Sequence, residues 1–252
     1  MCVLITGASS GIGLELAKVF AHHQYNLIIA SRNKEKMDML KKELEATYHI
    51  KVYICKVDLA QEDGPKFLYD EVKAMGLDVE ILVNNAGIGY VGEFVDNVYD
   101  KDLRMLQLNM TSLTLLTKYF SQEMIKKGGG RILNVASTGA YHPGPYTATY
   151  YATKAYVLSL SEALWVELRP YNISVSALCP GATKTNFSKS AGKADTKIAL
   201  SANFVAKKAY EGVMKGKPVI VPGVRNKLFI KLPRQVVMHI IGRFQSSLAR
   251  KA

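Results

Sequence analysis

Short apolar runs alternate along the chain with longer stretches of helical period. The runs are "VLIT", "NLIIAS", "KVYICKVD", "EILVNNAG", "RILNVAS", "ISVSALCPG" and "PVIVPG". Strands separated by amphipathic helices predict a parallel sheet covered by helices on both faces, a doubly wound α/β fold. The runs are nearly continuous in apolar residues, as strands buried on both sides should be. Ile12, Leu16, Val19 and Phe20 form a stripe on the first predicted helix, and Ala155, Leu158, Ala163 and Val166 lie on the predicted apolar surface of the helix following Tyr150. There is no internal repeat, low-complexity tract or linker, so one Rossmann-like domain is expected over 1–223, followed by an extension over 224–252.

Composition leaves this picture in place. The chain has 252 residues, 48% hydrophobic and 21% charged, which suits a soluble globular domain. No run approaches the roughly 18 apolar residues of a membrane span. The first strand begins at once with "MCVLITG", so no secretory leader is expected. Cys2, Cys55 and Cys179 are scattered and form no metal-ligand spacing or paired framework, which points to a cytoplasmic setting and no metal.

Charge changes the picture in one region. The net charge is +12, and residues 184–252 hold 15 Lys and Arg against Asp195 and Glu211, whereas residues 1–183 hold 18 against 19 acids. Such asymmetry favours an anionic partner for the last quarter. No nucleic-acid reading motif accompanies it, so nucleic acid is not expected as that partner.

Two local patterns carry chemistry. In "LITGASSGIGLELAKVF" a strand enters Gly7, Gly11 and Gly13 and a helix follows directly. Glycine there allows a tight turn and close approach to a ligand, and the free N–H groups of a helix start can receive a pyrophosphate. The spacing is G-x-x-x-G-x-G; a turn that merely packs tightly is the competing reading. In "TYYATKAY" Tyr150 and Lys154 fall one helical turn apart, placing a phenol beside an ammonium.

"TGASSGIG" resembles the opening of the short-chain dehydrogenase/reductase family, and the match extends to about residue 223. "VDL" at Asp58, "NNAG" ending at Gly87, Asn109 in "LNMTS", Ser137 in "NVAS", Tyr150 with Lys154, and "PG" at Pro180 and Gly181 follow in family order. The resemblance implies an oxidoreductase that moves a hydride between a nicotinamide cofactor and a carbonyl or secondary alcohol. By it, Gly7, Ser9, Ser10, Gly11, Ile12 and Gly13 hold the cofactor phosphates and ribose, Asp58 and Leu59 the adenine, and Asn85, Ala86 and Gly87 the adenosine side. Pro180, Gly181, Thr183 and Thr185 meet the nicotinamide end, with Thr183 standing where the family usually has an aliphatic residue. Ser31 and Arg32 end the second strand and no carboxylate occurs before Glu35, which favours NADP over NAD.

The same resemblance makes Asn109, Ser137, Tyr150 and Lys154 catalytic. Tyr150 is the proton carrier, Ser137 binds the substrate oxygen, Lys154 holds the nicotinamide ribose, and Asn109 supports a water chain to Lys154. A free phenol titrates near pH ~10, so Lys154 and a cationic nicotinamide are expected to lower the Tyr150 value. His142, beside Pro143, is expected as a pocket wall, and Tyr90, Phe94, Tyr141, Tyr146 and Phe187 are candidates for an apolar cleft. Residues 184–202 resemble a substrate lid, whose Lys189, Lys193 and Lys197 could attract anionic substrates. In the extension, Val236, Ile240, Phe244 and Leu248 form a stripe with a basic surround, suited to packing on its own or a sister subunit, or to contact with anionic lipid. A homo-dimer or homo-tetramer is expected. A catalytically idle NADP-binding sensor or scaffold, using the basic tail to bind a partner, is the alternative of a different class.

Overall fold

A computed structural model of the protein describes residues 2–187 and 199–249. Seven parallel strands form one sheet in the order β3-β2-β1-β4-β5-β6-β9. They are β1 (Cys2–Thr6), β2 (Asn26–Ser31), β3 (Val52–Lys56), β4 (Val79–Asn84), β5 (Gly130–Val135), β6 (Ile173–Leu178) and the two-residue β9 (Val219–Ile220). A separate short ladder pairs β7 (Thr183–Lys184) with β8 (Leu200–Ser201). The predicted Rossmann-like doubly wound sheet is therefore present, and strand order reverses between β1 and β4. In open sheets of this kind, ligands bind beyond the carboxyl ends of the strands at that reversal.

Alternation along β1 shows how the two faces are filled. Val3 and Ile5 join a cluster with Leu16 and Phe20 of α1 (Gly11–His22), Met37 and Leu44 of α2 (Lys34–Tyr48), and Val205 and Ala209 of α7 (Ala202–Met214). Leu4 points the other way, toward Leu68 of α3 (Gly64–Ala74) and Leu116 and Phe120 of α5 (Leu113–Lys126). β1 thus buries both rows of side chains, which accounts for its nearly unbroken apolar sequence.

The helix α6 (Ala148–Glu167) corrects the expected apolar surface. Ala155, Ala163 and Val166 are exposed, and the buried row is Thr153, Lys154, Val157, Leu158 and Ser161. Polar residues can occupy the inner face because their donors are satisfied. Ser161 Oγ donates to Val157 O at 2.6 Å and accepts from Asn134 Nδ2 at 3.0 Å.

After Gly223 the chain forms α8 (Val224–Phe229) and α9 (Arg234–Ala249). Val237 and Gln245 of α9 are buried, while Val236, Ile240 and Phe244 remain exposed. Of the expected stripe, the Leu248 side chain lies outside what is described. Among the described residues, no helix is long and apolar enough to cross a membrane.

Candidate active site

The glycine turn is shaped by steric necessity. Gly7 and Gly11 have φ of +66° and +58°, where side chains are strained. At Gly13 a Cβ would lie 2.4 Å from both Gly7 O and Asn85 Nδ2. Asn85 clamps this turn to the end of β4: its Nδ2 donates to Thr6 O at 2.9 Å and Gly7 O at 3.2 Å. Thr6 Oγ1 accepts from the N–H groups of Asn85 and Ala86 at 3.0 and 3.1 Å. The Asn85 side chain thus holds the turn in shape. At the start of α1, Ser10 makes no side-chain cap and no acid occupies the first turn, so the helix N–H groups are suited to an anion.

At the end of β2, Ser31 Oγ hydrogen-bonds Ser9 Oγ at 2.8 Å, joining two expected cofactor residues. Arg32 beside it is exposed. Asp58 accepts from Ala60 N at 3.1 Å and pairs with Arg104, a residue the sequence reading missed. Burial pushes the Asp58 pKa up, but the Ala60 N–H and Arg104, with Arg32 acting at longer range, outweigh it and hold the carboxyl below its ordinary value. Leu59 is buried, and its carbonyl accepts from the Ser112 hydroxyl.

The four expected catalytic residues are brought together by α6, β5 and a π-helical stretch over Gln107–Ser112, which lies between α4 (Tyr99–Leu106) and α5. Ser137 follows β5, accepts from Gly139 N at 3.0 Å and hydrogen-bonds the Tyr150 hydroxyl. Lys154 is buried and donates to Val135 O at 2.7 Å, with Nζ 5.8 Å from the Tyr150 ring centre. Asn109 donates to Ile88 O at 2.9 Å and accepts from Ile88 N at 3.0 Å. Its amide also donates to Thr153 Oγ1 at 3.1 Å, and Thr153 in turn donates to Tyr150 O at 2.7 Å. Thr153, overlooked in the sequence although it lies inside "TYYATKAY", therefore links Asn109 to the backbone of the tyrosine. Gly87 fits against this group: a Cβ there would be 3.2 Å from Asn109 Oδ1 and 3.4 Å from Lys154 Nζ.

In the protein alone, burial dominates the titration of this cluster. Burial raises the Tyr150 pKa above that of a free phenol, and the Ser137 hydrogen bond only partly opposes it. The Lys154 ammonium donates to Val135 O at 2.7 Å and lies 5.8 Å from the Tyr150 ring centre. Burial lowers the Lys154 pKa to about 8, and nearby Cys179 pulls it slightly back up. The arrangement holds Tyr150 as a neutral proton donor, hydrogen-bonded to Ser137.

The segment after β6 packs back against the site. Pro180 O accepts from Thr138 N at 2.9 Å, and Thr183 Oγ1 donates to Gly181 O at 2.9 Å. Thr183 thus satisfies its hydroxyl internally where the family has an aliphatic side chain. Thr185 lies against Gly11, where a Cβ would be 3.2 Å from its side chain. Phe187 is 5.7 Å from the Tyr150 ring, centre to centre. One short segment consequently touches both the glycine turn and the tyrosine.

The expected cleft residues divide. Phe187 meets Tyr150, and His142 is buried, with its Nε2 3.2 Å from Phe229 O. Phe94 is 68% exposed and builds no wall, since it sits on a one-turn helix without buried residues. Lys189, Lys193 and Lys197 lie outside the described residues, as does most of the expected lid.

Fold and site together define a dinucleotide-dependent oxidoreductase. Residues 1–196 match the family model for short chain dehydrogenase, and the chain belongs to that family. It is 36% identical over 188 residues to dehydrogenase/reductase SDR family member 4 of Sus scrofa, spanning 74% of this chain and 67% of that one. Among solved structures it resembles a short-chain dehydrogenase from Sphingobium yanoikuyae in complex with NADPH, at 30% identity and TM-score 0.84, covering 92% and 96% of the two chains. It also resembles the bulky-bulky ketone specific alcohol dehydrogenase from Comamonas testosteroni, at 31% identity and TM-score 0.81, covering 94% and 93%. The family acts on alcohols and ketones with a nicotinamide dinucleotide, and so does this chain.

Proposed function

We propose that the chain interconverts a lipophilic ketone and its secondary alcohol and prefers NADP(H) to NAD(H). The observation that carries the cofactor preference is the pair Ser9 and Ser31, hydroxyl to hydroxyl, beside exposed Arg32. An acid at this point would repel a ribose 2′-phosphate, whereas an arginine and two hydroxyls receive it. Arg104 leaves Asp58 paired, so that carboxylate does not cancel Arg32.

The residues fit a dinucleotide. Gly7, Ser9, Ser10, Gly11, Ile12 and Gly13 would hold its phosphates on the start of α1, Asp58 and Leu59 its adenine, and Ala86 and Gly87 the adjoining ribose. Lys154 would reach the nicotinamide ribose, and Pro180, Gly181, Thr183 and Thr185 the nicotinamide. When bound, the cofactor supplies or accepts the hydride. Tyr150 donates its proton to the carbonyl oxygen in reduction and takes it back in oxidation. Ser137 donates a hydrogen bond to the same oxygen as charge grows there, and its existing bond to Tyr150 fixes the two hydroxyls for one small target. Asn109 and Thr153 hold the tyrosine's backbone in register. The lipophilic substrate is supported by Phe187 beside Tyr150 and by the likeness to an enzyme specific for bulky ketones.

The test is a panel of ketones with NADPH and NADH, read at the nicotinamide absorbance, with direct titration of both cofactors. NADPH should bind at least about tenfold more tightly, one good charge-assisted contact being worth ~1.5 to 3 kcal/mol, and Arg32→Ala should narrow the gap. Equal affinities would overturn the preference. Cofactor binding without turnover of any ketone or alcohol would favour the idle sensor.

A further inference from the structure

Beyond the chemistry of the site, the end of the chain presents an unusual surface. Along α9, Val236, Ile240 and Phe244 recur every fourth residue and are 52%, 59% and 53% exposed. The row continues through exposed Leu232 in the preceding turn and Leu228 of α8. Around it, Arg225, Lys227, Lys231, Arg234 and Arg243 are all exposed, and no acid occurs after Glu211 in the sequence. The neighbouring row of α9 is spent on the protein itself. Val237 and Gln245 are buried, and Gly242 lies against Pro145, where a Cβ would be 3.5 Å from the proline ring. A helix fixed on one side leaves an apolar ridge in solvent on another.

We infer that this ridge rests on an anionic lipid surface, with Val236 and Ile240 entering the interface and the basic flanks meeting headgroups. Charge selects the occupant. A second copy docked ridge to ridge would bring two uniformly basic flanks together, which costs energy, whereas anionic headgroups neutralise them. An amphipathic helix of this make-up lies in the plane of a bilayer, its affinity drawn from apolar area plus electrostatic attraction. The place matters as well. Phe229 O bonds His142, and Gly242 abuts Pro145, so the lipid-facing helices pack on the loop that leads into Tyr150. A lipophilic substrate leaving the bilayer would meet that loop.

The test uses the full chain and vesicles of phosphatidylcholine with or without about 30% phosphatidylglycerol, read by co-sedimentation. Binding should require the anionic lipid. Val236→Glu with Ile240→Glu should reduce partitioning about tenfold or more, since two buried aliphatic side chains are lost from the interface. Lys227→Gln with Lys231→Gln and Arg234→Gln should reduce it comparably and weaken its salt dependence, Arg225 and Arg243 remaining. All five substituted positions being exposed, both variants should keep the parent's melting point and its turnover of a water-soluble ketone. No binding, or binding that the glutamate pair leaves intact, would overturn the inference. A fall in molecular mass of the glutamate pair on size-exclusion chromatography would overturn it too, by assigning the ridge to a second copy. The readout needs neither substrate nor cofactor, so failure of the reductase assay would count against the proposed function and not against lipid binding.

Discussion

Two helices of this chain both turn polar residues inward and leave apolar ones in solvent, with different results. On α6 the buried face carries Thr153, Lys154 and Ser161, and the exposed face carries Ala155, Ala163 and Val166. On α9 the chain buries Gln245 beside Val237 and leaves Val236 and Ile240 in solvent. The difference lies in what satisfies the polar atoms. On α6 every buried donor discussed above reaches a backbone carbonyl or a neighbouring side chain, so burial produces a rigid, pre-arranged cluster. On α9, Gln245 Oε1 has no such partner, and apolar surface is left over. Inward polarity marks chemistry; outward apolarity marks a surface that awaits contact.

The largest effect should come from Tyr150→Phe, which removes only the proton donor. Turnover should fall by about 10²- to 10⁴-fold, the usual reach of general acid catalysis, while cofactor affinity in a fluorescence titration stays within a few fold. Tyr151→Phe should keep most activity. Tyr151 packs against Gly139 and Gly144, so its ring fills a wall. If Tyr151→Phe were the inactive variant, the buried cluster would be centred on the wrong phenol.

Asn109→Leu comes next. Its amide serves Ile88 at both backbone groups and Thr153 besides, and leucine would leave the Ile88 groups unpaired in a half-buried place. Each such loss costs ~1 to 3 kcal/mol, so urea unfolding should show a loss of about 3 kcal/mol, with turnover falling along with it. Unchanged stability would mean that the π-helical stretch holds its shape without this side chain.

Much of this was readable in the sequence, and the failures share a cause. Gly7, Gly11 and Gly13 are legible because a backbone conformation demands glycine, and Tyr150 with Lys154 because helical spacing alone places them. The apolar stripe of α6 was misread because periodicity counts apolar residues and cannot see the acceptors, such as Val135 O, that make an inward lysine tolerable. Arg104 was invisible for a related reason. It reaches Asp58 from 46 positions away, across two elements whose adjacency only the fold creates. Thr153 could have been found, since a threonine three residues after Tyr150 can bond back to its carbonyl.

The burial of Lys154 gives a pH signature of intermediate size. Its folded pKa of about 8 lies below the ordinary lysine value of 10.5, so the unfolded chain binds more protons between those limits. Stability contributed at this position is therefore lowest below pH 8 and recovers as pH rises toward the unfolded value. Buried Cys179 and Tyr150, with raised values, act in the opposite sense at higher pH, and of these only Cys179 feels the lysine, as the smallest of the influences on it. The unfolding free energy of the parent relative to Lys154→Met should thus improve by about 2 kcal/mol between pH 7 and 9.5. A constant difference would show that Lys154 is better solvated than its surroundings imply.

Arg104→Gln should have the smallest effect, because its partner is neither as buried as the α6 cluster nor as open as the α9 flank. The side chains of Asp58 and Arg104 are 28% and 34% exposed, so solvent and salt screen them. Such a pair contributes at most ~1 kcal/mol. Asp58 has a lowered pKa, and its contribution is present above the ordinary carboxylate range and lost as acid protonates it. The stability difference between parent and variant should therefore be small at pH 7, vanish once Asp58 is protonated, and shrink in high salt. Because Ala60 N–H still holds Asp58 in place, the adenine end should survive, with NADPH affinity reduced only a few fold. A loss as large as that of Asn109→Leu, insensitive to salt, would move Arg104 into the class of buried positioning residues and break the division between an inner cluster set by desolvation and an outer ring of screened charges.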